Sequence, residues 1–331
     1  MSAVADPGDL SGTLGPRGPA GTAASPGPFA HPALFYRDER EYLAGTVAFV
    51  RDGLEAGDPV AVAVPGEHLR LIRDALGEHG RAVRFLDMRE AGRNPGRIIP
   101  AVLRAFADAT PPGRRARIIG EPIWPGRSDT EYPACAQHEA LINAAFQGRA
   151  ATILCPYDAR RLDARVLADA HATHPTVIPA GAGRERPSAA YDPEGVVARW
   201  NRPLPGPPRA LTYAFDAKTL TRARHVAVGE GERLGLVGVR LEDVAIVTAE
   251  LTTNSVVHGG GSGVLRVWDE GDAVVCEVVD RGRITNPLAG RLPAPRDQRG
   301  GRGLLLVNLV ADLVRVRTGE EGTTIRCWFS R

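Results

Sequence analysis

Lysine is almost missing from this chain: Lys218 stands alone among 41 basic residues, which face 39 acidic ones over 331 residues. The two signs are interspersed, so no long basic face exists to neutralise a phosphate backbone, and nucleic acid is not an expected direct partner. The arginine excess, beside so much alanine, glycine and proline, reads as the compositional bias of a GC-rich genome. Cysteine is scarce as well. Cys135, Cys155, Cys276 and Cys327 have no Cys-x-x-Cys spacing, and two of them sit in apolar strand patterns where a thiol is an ordinary core residue. Neither a disulfide framework nor a zinc site follows, and His31, His171 and His174 have too few ligating neighbours in sequence to suggest one. No stretch approaches the roughly 18 uninterrupted apolar residues of a membrane span, and the N-terminus has no basic segment leading into an apolar one. The expectation is a cytoplasmic protein with no membrane partner, whose signals enter the cell or arrive through another protein.

With 43% hydrophobic residues the chain can bury real cores, and its length has room for two domains. Residues 1–30 are dominated by glycine, proline, alanine and serine, a composition that cannot offset the entropy of ordering, and are expected to be a disordered tail. From His31 to residue 180 helical and strand patterns alternate: strands at 59–65, 82–87, 116–120 and 151–155, helices marked by Leu43, Val47, Val50 and Leu54, by Leu69, Ile72 and Leu76, and at 98–106 and 132–146. Such alternation implies an α/β domain with a mostly parallel sheet covered by helices on both faces. Residues 181–210, rich in proline, glycine and arginine, read as a linker. Beyond it, helices at 220–236 and 241–257 precede two hairpins, 264–269 with 273–280 and 313–317 with 323–329, which predicts an α+β sandwich with helices on one face of a mixed sheet over 211–331.

The first domain has no Gly-x-x-x-x-Gly-Lys-Ser/Thr loop; Gly66-Glu67-His68 after its strand cannot wrap a phosphate. Strand ends of doubly wound sheets still make ligand crevices, and Glu121, Trp124, Arg127, Tyr157 and Asp158 all follow predicted strands. They are the candidates for a sensor pocket; the alternative has Trp124 and Tyr157 capping the core and Glu121 and Arg127 as an ion pair. His138-Glu139 superficially matches a phosphoacceptor dipeptide but lies inside an α/β unit, where no two-helix dimerisation hairpin can form.

The second domain carries the chemistry. Glu250 and Asn254 are four residues apart and so share one face of a helix, where one can hold a metal while the other moves a proton. An alternating apolar strand then ends at Asp280-Arg281-Gly282, a carboxylate able to accept from a base beside a glycine that lets a ring lie against the backbone. Gly300-Gly301-Arg302-Gly303 opens an apolar run, the pattern of a glycine-rich loop feeding a helix N-terminus whose free amides attract phosphate. Taken singly, each is an ordinary polar residue or loop; their order reads as a nucleotide site.

On these residues, with Gly322-Thr323-Thr324 closing the set, residues 211–331 resemble the ATP-binding domain of the GHKL superfamily, and most closely its anti-sigma-factor serine kinases. The resemblance departs at Arg283, where the family often has a second small residue. It implies that Asn254 holds Mg²⁺, that Asp280 accepts from the adenine amino group, and that Gly282 allows the ring to approach. It further implies that Gly301 and Gly303 let the lid fold over the phosphates, that Thr323 or Thr324 supports the adenine side, and that Glu250 is the catalytic base. The implied substrate is a serine or threonine of an anti-anti-sigma protein, with a sigma factor as the second partner and a homodimer as a common assembly. Competing readings are a non-enzymatic ATP-gated binding module and a histidine kinase catalytic domain acting on a separate phosphoacceptor. Residues 31–180 are similar to the MEDS sensory domains through His31-Pro32-Ala33-Leu34-Phe35-Tyr36, Gly120 to Ser128, Cys155-Pro156-Tyr157-Asp158 and His174-Pro175, which implies small-molecule sensing by an undefined ligand.

Overall fold

The computed structural model describes residues 29–181, 183–207, 209–292 and 301–331. All but the last two residues of the expected tail, and Gly300 of the glycine run, lie outside the described residues.

The first half runs β1 (Pro32–Tyr36), α1 (Glu39–Glu55), β2 (Val60–Val64), α2 (Gly66–Leu76), β3 (Val83–Asp87), α3 (Met88–Ala91), a π-helical stretch (Ile98–Arg104) leading into α4 (Ala105–Asp108), β4 (Ala116–Gly120), α5 (Tyr132–Ala145), β5 (Ala151–Asp158), α6 (Ala164–Thr173), β6 (Thr176–Ile178), β7 (Arg186–Pro187) and α7 (Pro193–Trp200). Its strands form one sheet in the order β3-β2-β4-β5-β1-β6-β7, parallel throughout except for the β6–β7 pair. β2 reads Val-Ala-Val-Ala-Val and is buried along its whole length, as a parallel strand covered on both faces must be. Successive residues of β1 go to opposite faces: Ala33 and Phe35 join the core under α5 and α6, Leu34 and Tyr36 the core under α1 and α2. The helix expected over 98–106 is split, and Pro100, with no N–H to donate, sits within the π-helical part.

α7 falls inside the span expected to be linker. Asp192 caps it by accepting from Gly195 N at 2.9 Å, and Asp169 of α6 anchors its end through Trp200 Nε1 at 2.9 Å and the Arg199 guanidinium.

The second half runs β8 (Leu211–Asp216), α8 (Leu220–Arg233), α9 (Val239–His258), β9 (Ser262–Glu270), β10 (Ala273–Asp280), α10 (Gly303–Val310), β11 (Leu313–Gly319) and β12 (Gly322–Ser330). The sheet order is β11-β12-β10-β9-β8, and every pairing is antiparallel, which corrects the expectation of a mixed sheet. β8 is the strand that the hairpin count missed: at the edge it keeps only Phe215 fully buried, so its alternation is faint. Helices α8 to α10 cover one face over a core of Val244, Val247, Leu251, Val274, Cys276 and Phe329. The opposite face, with Trp268, Val275, Leu313 and Trp328, packs against Ala134 of α5 and so joins the two sheets. Glu277 on that face is buried and accepts from Arg326 at 2.6 and 2.8 Å and from Arg266 at 3.0 Å. No helix among the described residues is long and apolar enough to cross a membrane.

Candidate nucleotide site

α9 buries Val244, Val247, Thr248, Leu251, Thr252 and Ser255 against the sheet, a stripe of helical period. Glu250 and Asn254 lie on the flank beside that stripe, turned toward the start of α10. A Cβ at Gly303 would collide with Glu250 Oε2 and touch Asn254 Nδ2 at 3.4 Å, so a larger residue here would push the Glu250 carboxylate aside.

Antiparallel register places Asp280 opposite Thr323. The Asp280 carboxylate is held on both oxygens: Oδ2 accepts from Ser255 Oγ at 2.6 Å and Oδ1 from Gly282 N at 2.8 Å. Thr323 Oγ1 in turn donates to the Gly282 carbonyl at 2.8 Å, fixing the loop from its other side. A Cβ on Gly282 would come within 2.7 Å of both Gly259 Cα and the His258 carbonyl. A carboxylate offers about four lone-pair directions, so Asp280 retains acceptor capacity after these two bonds.

These groups surround a cavity of about 650 Å³ lined by Asn254, Ser255, Asp280, Gly282, Gly301, Gly303 and Thr323, with Leu251, Val278, Leu288, Leu292, Leu304 and Ile325 as its apolar wall. The volume and the mixture of an apolar wall with a few directed polar groups suit a nucleotide-sized ligand. Glu250 does not line the cavity but stands at its rim beside Gly303. Thr324, the alternative to Thr323, is absent from the lining because adjacent strand residues point to opposite faces. Arg283, at the departure from the family pattern, lines both this cavity and a second one of about 300 Å³ shared with α5 and α7. Ser255 was not singled out in the sequence; it reads as one more polar helix residue until the register of β10 brings Asp280 to it.

Of the five sensor candidates, Glu121 and Asp158 lie close enough around His68 to act on it and on one another, while Trp124 and Arg127 stack together and Tyr157 packs against His174. Glu121 is buried and accepts from Tyr42 Oη at 3.1 Å and His68 Nδ1 at 2.8 Å. Burial pushes its pKa up from the carboxylate range. Asp158 caps the turn after β5, accepting from Arg160 N and Arg161 N at 3.0 Å each. Arg127 stacks on Trp124 at 4.1 Å and pairs with Glu131 at 2.7 Å, not with Glu121, while bonding the carbonyls of Gly92, Arg93 and Pro122. Tyr157 lies on a different face of β5, among buried histidines. None of the five lines the cavities just described or the smaller one beside Phe35 and His171. His138 is buried at 1% exposure and offers no accessible phosphoacceptor.

A helix-covered antiparallel sheet with an acid and an amide on one helix, a pinned Asp-x-Gly loop and a glycine-opened helix is consistent with a GHKL-type fold. Residues 213–329 match the family model of the histidine kinase-like ATPase domain, and residues 30–175 match that of the MEthanogen/methylotroph, DcmR Sensory domain, MEDS. The chain therefore joins a MEDS domain to a histidine kinase-like ATPase domain. Among solved structures it is similar to the crystal structure of the RsbU and RsbW domains of Rv1364c from Mycobacterium tuberculosis, at 20% identity over 38% of this chain and 33% of that one, with a TM-score of 0.29. The chain thus spans about a third of that protein's length. No curated protein matches it.

Proposed function

We propose that this protein binds Mg-ATP in the cavity of its second domain and transfers phosphate to a serine or threonine of an anti-anti-sigma partner, under control of its MEDS domain. The observation that carries the reading is the Asp280 carboxylate, held by Ser255 and Gly282 N at the wall of a 650 Å³ cavity whose rim carries Glu250. Asp280 accepts from the adenine amino group, and Gly282, where a side chain would strike the backbone of Gly259 and His258, lets the ring lie on the backbone. Asn254 contributes a hard oxygen to Mg²⁺, which when bound neutralises phosphate charge. The amides at the start of α10 face the phosphates. Glu250 orients the partner's hydroxyl and accepts its proton. Phosphorylation of the partner then releases this protein to hold a sigma factor.

Incubating the full chain with Mg-ATP labelled at the γ-phosphate and an anti-anti-sigma protein tests this. Acid-stable phosphate on the partner is the expected result. Acid-labile phosphate would instead identify a histidine acceptor, and nucleotide binding without transfer would leave a module that acts by contact alone.

A further inference from the structure

Away from the nucleotide cavity, four side chains distant in sequence meet inside the MEDS domain. His31 precedes β1, Glu139 is on α5, Cys155 is on β5 and His174 follows α6. The sheet order β5-β1-β6 brings three of them together, with Ala33 opposite Cys155 and Pro32 opposite Thr176, and α5 lays Glu139 over the trio. One donor atom from each lies within 4.8 Å of every other, and all four residues are at most 1% exposed. This overturns the expectation that these histidines and cysteines lack ligating company.

The hydrogen bonds around the cluster fix what it presents. His174 Nδ1 donates to the Ala170 carbonyl at 2.8 Å, and a carbonyl can only accept. His31 Nδ1 lies 3.1 Å from Asn143 Oδ1, whose amide nitrogen is committed to the carbonyls of Thr173 at 2.8 Å and Ala140 at 3.2 Å. Both rings therefore commit a proton outward, and each, when neutral, turns the lone pair of its Nε2 inward. His174 Nε2 is 3.1 Å and His31 Nε2 3.5 Å from Glu139 Oε2, and His31 Nε2 is 3.4 Å from Cys155 Sγ. His174 Nε2 and both Glu139 oxygens are buried without a hydrogen-bond partner. The Cys155 thiol can donate to His31 Nε2, but a neutral His174 Nε2 facing the Glu139 carboxylate sets acceptor against acceptor in a dry interior, which a cation between them relieves.

We infer that His31, Glu139, Cys155 and His174 form a binding site for one divalent transition metal, Zn²⁺ foremost. Two imidazole nitrogens, a carboxylate and a thiolate are four ligands of the kinds zinc takes in tetrahedral sites. The two anionic ligands balance the dication, so the loaded site is neutral where charge is most costly. The outward Nδ1–H bonds are the supports that orient metal-bound histidines. The sequence hides the site because no two ligands have local metal-motif spacing.

The full chain is expressed without an affinity tag in minimal medium supplemented with Zn²⁺ or with Co²⁺, and metal per chain is measured by mass spectrometry. One metal per chain is expected. The cobalt form should show tetrahedral ligand-field bands in the visible and a thiolate-to-cobalt band in the near ultraviolet. Cys155→Ser should remove the near-ultraviolet band, and His174→Ala should lower metal content. If either variant does not fold, the wild-type near-ultraviolet band decides alone. A folded wild-type chain with far less than one metal and no such band would overturn the site in favour of a protonated His–Glu pair, as would a folded His174→Ala protein with unchanged content and spectrum.

Discussion

Glu250 and Asn254 share a helix flank, but the proposed function gives them different work, and single substitutions separate the two. Removing a general base typically lowers rate by about 10²–10⁴-fold. Glu250→Ala should therefore lose phosphoryl transfer by about that factor while Mg-ATP binding, read by calorimetry, stays near wild type, because Glu250 stands at the rim and not in the lining. Asn254→Ala should weaken binding in Mg²⁺ and leave the weaker metal-free binding unchanged. Equal losses in both variants, in both measurements, would mean that the two residues serve only to seat α10.

A second residue-scale prediction concerns His68 and Glu121. Burial works against the charged imidazole, but the hydrogen bond and charge of Glu121, joined by Glu67 and Asp158, carry the His68 pKa above its ordinary 6.5. Burial raises Glu121 as well, against the bonds from His68 and Tyr42. A raised histidine stabilises fully below about 6.5 and loses that contribution as pH rises through its folded value; a raised carboxylate shifts stability in the same sense. The thermal midpoint should therefore fall as pH rises from about 6.5 toward the alkaline side. The fall should be smaller in His68→Gln, and parallel curves for the two proteins would rule the pair out as its source.

At the scale of elements, the loop 280–282 shows how little room the site leaves. Gly282→Ala puts a methyl against Gly259 Cα and the His258 carbonyl, both backbone atoms that cannot rotate away. The loop must shift, and Asp280, held by Gly282 N, shifts with it. A loss of Mg-ATP affinity of at least tenfold is expected, with circular dichroism unchanged; wild-type affinity would show that the ligand avoids this loop. Much of this element was legible in the sequence, since the helix period pairs Glu250 with Asn254 and an alternating strand ends at Asp280. Ser255 and Thr323 were harder to rank, because their parts depend on strand register, a long-range property that no local pattern encodes. The same limit applies to the five sensor candidates: nearness to strand ends was read from the sequence, but which side chains meet was not. α7 was hidden by composition, as proline, glycine and arginine around it read as linker while its anchors, Asp169 and Asp192, are single polar residues.

At the scale of the molecule, the two domains share more than a seam. Residues 283–292 separate the nucleotide cavity from the cavity lined by Gln137, Leu141 and Asn201. Leu288 and Leu292 rest on the core of the MEDS domain, and Asn94 bonds the Asn308 carbonyl at 2.8 Å. The most direct connection starts at Asn201, at the end of α7, whose amide pairs with the edge strand β11 through the Thr318 carbonyl at 2.7 Å and the Thr318 N–H at 3.0 Å. Thr318 Oγ1 accepts from Ile284 N at 2.9 Å and lies 2.8 Å from Thr323 Oγ1, which donates to Gly282. A hydroxyl chain of this kind is directional, each member's proton being committed to the next, so its bonds strengthen one another.

Asn201 is thus linked to the Asp280 loop without touching the cavity. Two backbone bonds of about 0.5–1.5 kcal/mol each are lost in Asn201→Ala, which bounds the coupling to nucleotide at about 1–3 kcal/mol. Mg-ATP affinity of the full chain should change by about 5- to 150-fold at that coupling. A double-mutant cycle with Thr318→Val locates the cause. Effects that fail to add mean that Asn201 acts through the Thr318 hydroxyl, whereas strict additivity would mean that α7 influences the site by another path. If the coupling is real, a displacement of α7 changes the geometry of the Asp280 loop through Thr318.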